Sequence, residues 1–126
     1  MSIPVKEVMT AMPHTIGHDI AAAKAQAMMA EYNCHHLPVL DGGKLVGVIS
    51  NRDLAIVAKI PNGEETPVED LMTDEPIVVD PDTDIHEVVA TMLKHKIHSV
   101  IVSAKEGHPW GICTSTNALQ YFVDQK

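Results

Sequence analysis

Two short stretches carry residues that could do chemistry. Ser50 is followed three positions later by Asp53, and Thr114 three positions later by Asn117. Each pair follows a glycine, Gly47 or Gly111, by three residues. One chemistry is local. A hydroxyl at a strand–helix junction accepts a backbone N–H, and an acid or amide three residues on completes a capping-box-like arrangement. The other chemistry is recognition. A helix start with a hydroxyl suits an anion, and a neighbouring carboxylate can accept two hydrogen bonds from a ribose diol. Capping accounts for one copy. Two copies accompanied by matched histidines point toward a site.

The matched histidines are His35 and His98, each expected to open the middle strand of its repeat, followed by His36 and Ser99. They suit polar contacts with a bound anion, or they are surface histidines. With eight histidines in the chain a metal site is tempting. However, neighbours on a strand face opposite ways, and no Cys/His spacing resembles a zinc motif. Arg52 adds a permanent charge suited to phosphate, its plain alternative being a solvated helix-face arginine. No GxSxG, HExxH or P-loop pattern is present, so no catalytic set is expected. Cys34 and Cys113 lie apart in apolar segments and read as buried thiols. The methionines read mainly as core, and Trp110 as core or subunit interface.

The elements that must position these residues occur twice. "PVKEVMT" from Pro4 matches "PVEDLMT" from Pro67, an offset of 67 minus 4, or 63. Met9 then falls on Met72, Thr10 on Thr73, Asp19 on Asp82 and His35 on His98. One inserted residue moves the offset to 64, so Gly43 falls on Gly107 and Gly47 on Gly111. Each repeat reads β-α-β-β-α. "HTI" or "IVV" is β-like. "DIAAAKAQAMMAEYN" and "DIHEVVATMLKHK" are helical, with acids near the start and Val88, Val89, Met92 and Leu93 on one stripe. "HLPVL" and "HSVIV" are strands. "DGGK" and "KEGH" are turns, and "LVGVIS" and "WGICT" the next strands. Final helices start at "NRDLAIVAKI" and "STNALQYFV". The expected organisation is repeat one over 1–60, a polar linker over 61–66 and repeat two over 67–126.

At 126 residues the chain can bury a core without staples, and 45% hydrophobic residues exclude disorder. A net charge of −8 argues against a nucleic-acid partner, which needs a basic face. No apolar run suits a membrane span and the N-terminus does not resemble a signal peptide, so a cytoplasmic protein is expected.

"VKEVMT", "HHLPVLDGGKLVGVISNRDL" and their echo from Val68 to Leu119 resemble the CBS domain, named after cystathionine beta-synthase. Two in tandem resemble a Bateman module. The resemblance implies a mixed α/β (α+β) fold: two β-α-β-β-α repeats packed as an intramolecular pseudo-dimer, with clefts between them for adenine-containing ligands. Those are AMP, ADP, ATP, S-adenosylmethionine or NAD-like molecules, acting as regulatory ligands rather than tightly bound cofactors. By the same resemblance Asp53 meets the ribose, Ser50 and Arg52 lie near ribose and phosphate, and His35, His36 and Pro38 line the cleft. The second repeat offers His98, Ser99, Thr114, Thr116 and Asn117. Here Thr116 replaces an arginine, Ile101 replaces the proline, and Asn117 lacks the charge that strengthens a bond to a diol. The first repeat is therefore expected to hold the better site. The resemblance further implies a homodimer read by an unknown effector protein. The alternative is a structural dimerisation module with vestigial clefts.

Overall fold

A computed structural model describes residues 3–104 and 110–125. The turn expected at "KEGH", with Gly107, lies outside the described residues. The fold is mixed α+β, with two four-stranded sheets. Its strands are β1 (Thr10–Ala11), β2 (Ile16–Gly17), β3 (His36–Asp41), β4 (Lys44–Ser50), β5 (Thr73–Asp74), β6 (Val78–Val79), β7 (Ser99–Val102) and β8 (Gly111–Thr114). The α-helices are α1 (Ala22–Tyr32), α2 (Ile85–His95) and α3 (Ser115–Asp124).

The sheet orders are β2-β3-β4-β5 and β1-β8-β7-β6. Each has one parallel pair, β2 with β3 or β6 with β7, and antiparallel pairs elsewhere. The compact units are therefore offset from the sequence repeats. Residues 14–76 form one, and residues 1–13 with 77–126 form the other. The Met-Thr segment of each repeat supplies an edge strand to the sheet built mostly from the other repeat: Thr10 stands opposite Ile112, and Thr73 opposite Val48.

The Met-Thr motif and the strand glycine are two halves of this contact. A Cβ on Gly111 would come within 2.6 Å of both the Met9 sulfur and the Thr10 carbonyl. A Cβ on Gly47 would collide in the same way with Met72 and Thr73. Only a bare backbone lets the edge strand and its methionine approach so closely.

Each unit has its own core. In the 14–76 unit Ile16, Ala25, Met29, Leu37, Val39, Ile49, Leu54 and Val68 pack together. In the other, Val5, Ile85, Val88, Met92, Val100, Val102, Cys113 and Ala118 do so. Val5 and Val68, counterparts in the repeats, have thus changed units along with their edge strands.

Several local expectations are corrected. Helix α1 begins at Ala22 with no acid in its first turn, because Ala21 takes the cap position and Asp19 stays outside. In α2, by contrast, Asp84 caps the helix, accepting from the His86 N–H at 3.2 Å. Leu93 is 74% exposed, so the apolar stripe of α2 is narrower than its spacing suggests. Both helices stop on residues with positive φ, Asn33 (51°) and Lys96 (55°). The last helix of the first repeat is a 3₁₀ segment, Asp53–Lys59, and Pro61 follows closely. The polar linker is ordered: Gly63 is buried in a 3₁₀ turn, Gly63–Glu65, and the Thr66 carbonyl accepts the Ala22 N–H at 2.7 Å. Trp110 precedes β8, half-buried, its carbonyl accepting the Met12 N–H at 3.1 Å. The expected "DGGK" turn is present, with Gly42 (φ 58°) and Gly43 (φ 84°) closing the β3–β4 hairpin.

Candidate functional site

In the 14–76 unit the candidate residues gather where β3 begins and β4 ends. His36 stands opposite Ser50, and Pro38 opposite Val48. His35 does not open the strand as expected. It lies one residue before β3 and is exposed, and its carbonyl accepts the Asn51 N–H at 3.0 Å, which carries the β3–β4 ladder past the strand ends. That bond ties the turn after β4 to the entry of β3. The turn itself is a reciprocal cap: the Ser50 N–H donates to Asp53 Oδ2 at 2.9 Å, and the Asp53 N–H donates to Ser50 Oγ at 3.1 Å. Ser50 and Asp53 are half-buried, and Arg52 is exposed between them in sequence. A hydroxyl, a carboxylate, an imidazole and a guanidinium thus share one end of one sheet. Together they can accept from a diol and donate to an anion.

The other unit repeats the arrangement. Ser99 stands opposite Thr114, and His98 again precedes its strand, its carbonyl accepting the Ser115 N–H at 2.9 Å. Thr114 and Asn117 form the same reciprocal cap, at 2.9 and 3.1 Å. Thr116 is exposed on the first turn of α3. Two differences matter. The Thr114 hydroxyl also lies 3.1 Å from Asn117 Oδ1, and the Asn117 amide donates to the Thr10 hydroxyl at 3.3 Å. Asn117 therefore holds the edge strand β1 with a donor that a carboxylate does not have. In addition, Ile101, the counterpart of Pro38, donates its N–H to the Ile77 carbonyl at 2.9 Å, a bond that proline cannot make.

Two further arrangements left no signal in the sequence. His14 stacks on Tyr32, with ring centroids 3.7 Å apart and planes 10° apart. The side chain of His18 joins those of Glu69 and Asp41. Their partners lie too far along the chain for spacing to reveal. Among the described residues no group of three or more His, Cys, Asp or Glu side chains is arranged to hold a metal, and no helix is long and apolar enough to cross a membrane. Both cysteines are unbridged, and burial pushes the Cys113 thiol up to about 11.

Comparison with known proteins places this architecture. The CBS domain family profile matches residues 5–59 and again 68–124. The chain belongs to the CBS domain family, as a tandem pair of repeats. It is 30% identical over 123 residues to L-aspartate semialdehyde sulfurtransferase of Methanocaldococcus jannaschii, covering 97% of this chain but 24% of that protein. This chain spans about a quarter or less of the length of the first curated relatives that it matches. Among solved structures, the CBS domain pair of protein MJ0100 in complex with 5′-methylthioadenosine and S-adenosyl-L-methionine superposes with a TM-score of 0.88 at 28% identity, each chain fully covered. CBSX2 in complex with AMP gives 0.79 at 27% identity, with 95% of this chain and 96% of that one covered.

Proposed function

We propose that this CBS pair is a regulatory module that binds an adenine-containing ligand rather than an enzyme, and that Asp53 anchors the ribose. The observation that carries this reading is the polar group at the end of β4: the Ser50–Asp53 cap with His36 opposite and Arg52 beside it. His35, exposed, completes the set on the approach to β3, while Pro38 is fully buried and backs it. The adenine-containing ligands in two similar structures support the ligand class. His98, Ser99, Thr114, Thr116 and Asn117 form the weaker counterpart, since Asn117 is committed to Thr114 and Thr10. The repeats 1–60 and 67–126 act as one sensor in this reading. It works in the cytoplasm as a homodimer through exposed Leu119, Phe122 and Val123 on α3, and signals to a separate effector. The opposing reading, a structural pairing module with vestigial sites, is favoured by the internal use of Asn117.

The test is thermal stability against AMP, ADP, ATP, NAD and S-adenosylmethionine, with GTP as control, in the wild type and Asp53→Asn. The sister unit shows that an amide supports the same cap, so Asp53→Asn separates binding from folding. A ligand at about 100 times its Kd adds about 2.7 kcal/mol if only the folded state binds it. An adenine-dependent shift lost in Asp53→Asn supports the sensor. No shift with any ligand supports the structural module.

A further inference from the structure

The two units tie down their straps, the segments leading into β5 and β1, by matching backbone bonds. The Val68 and Glu69 N–H groups donate to the carbonyls of Ile20 (2.8 Å) and His18 (3.0 Å). Their counterparts Val5 and Lys6 donate to Thr83 (2.7 Å) and Pro81 (3.1 Å). On this common frame the side chains differ in charge logic. In one unit Lys6 Nζ meets Asp82 Oδ1 at 2.9 Å. In the other the strap residue is an acid, Glu69, and the cation must come from His18: Nδ1 lies 2.6 Å from Glu69 Oε2, and Nε2 lies 3.4 Å from Asp41 Oδ1.

We propose that His18 is a proton-operated clasp on the 66–75 strap, matched in the other unit by the permanent Lys6–Asp82 clasp. The argument is geometric. Both ring nitrogens face carboxylate oxygens. A neutral imidazole donates from one nitrogen and turns a lone pair toward the second acceptor, whereas an imidazolium donates from both. Charged groups reach His18 from every neighbouring element: Glu69 from the strap, Asp41 from the end of β3 and Asp19 from its own segment, all acidic. Lys44 stands opposite Asp41 across the hairpin. Consistently, the hydrogen bond to Glu69, with Asp41 and Asp19 nearby, raises the imidazole above its ordinary value of 6.5. The clasp is therefore complete below that ordinary value and is lost as pH rises through the raised native one. Lys6, held up by Asp82, stays charged throughout that range.

The experiment is amide hydrogen exchange on the intact chain at about pH 5.5 and about pH 8, on either side of ordinary imidazole titration and corrected for intrinsic rates. It reads residues 66–75, with residues 3–12 as internal reference. In the wild type, protection of 66–75 relative to 3–12 falls about two- to fivefold at the higher pH, the worth of an exposed ion pair. In His18→Gln the ratio does not change with pH. In His18→Lys, which copies the permanent clasp, the ratio stays high at both. Equal pH response of the two straps in the wild type overturns the proposal, as does a wild-type-like pH response in His18→Lys. If His18→Gln does not fold, the His18→Lys comparison decides alone.

Discussion

Asp53 and Asn117 differ by one functional group, and that difference divides labour between the two ends of the molecule. Both close the same cap, so neither the charge nor its absence is needed for folding of the turn. The amide of Asn117 does something more, reaching a threonine 107 positions away. Asn117→Ala removes the side-chain half of the cap and the Thr10 bond, while Thr114 Oγ1 still accepts the N–H of residue 117. We expect it to cost about 1–2 kcal/mol, the worth of one or two ordinary hydrogen bonds. Asn117→Asp retains the cap and allows the Thr10 hydroxyl to turn and donate instead, so it should cost less than half as much. Urea denaturation of the two variants checks this. Equal losses would mean that the cap contributes little and the Thr10 bond nearly everything.

At the scale of elements, the edge strands are the informative feature. Each is two residues long, and its stability comes from register and close approach rather than length. Gly111→Ala places a methyl against the Met9 sulfur and the Thr10 carbonyl. It should destabilise by about 1–3 kcal/mol, as overpacking does. Pairing it with Met9→Ala should restore only part of the loss, because the carbonyl belongs to the backbone and cannot swing aside. A denaturation series on the single and double variants measures this, and full rescue would locate the whole clash in the methionine.

Legibility in the sequence followed the range of each interaction. The caps at Ser50 and Thr114 and the "DGGK" hairpin were readable, because donor and acceptor lie within a few residues. The duplication was readable because it keeps register over some forty positions. The identity of the strand partners was not. Thr10 pairs with Ile112, and nothing local in "MTAMP" names a partner a hundred residues away. The 3₁₀ form of Asp53–Lys59 was not legible, because its apolar spacing suits a helix of either winding. Of the candidate site, the two residue groups were visible, whereas the placement of His36 opposite Ser50 and of Ser99 opposite Thr114 was not.

For the whole molecule, the repeat and the folding unit are different objects. The 14–76 segment contains β2 to β5 and every buried residue of its core. A fragment cut at the repeat boundary, 1–60, lacks β5 and Val68. We expect the 14–76 fragment to show a cooperative unfolding transition and dispersed amide resonances, and the 1–60 fragment to show neither. If the shorter, repeat-based fragment folded equally well, the edge strand and Val68 would be dispensable.

The same connectivity makes one unit an insertion within the other along the chain, since residues 1–13 and 77–126 belong to one unit and residues 14–76 to the other. This has a mechanical meaning. Tension applied at residues 3 and 125 enters and leaves through the same unit. The inserted unit, with Ser50 and Asp53, carries no load until its host ruptures. A pull on the chain ends should thus peel β1 from β8 first and reach the candidate ribose anchor last.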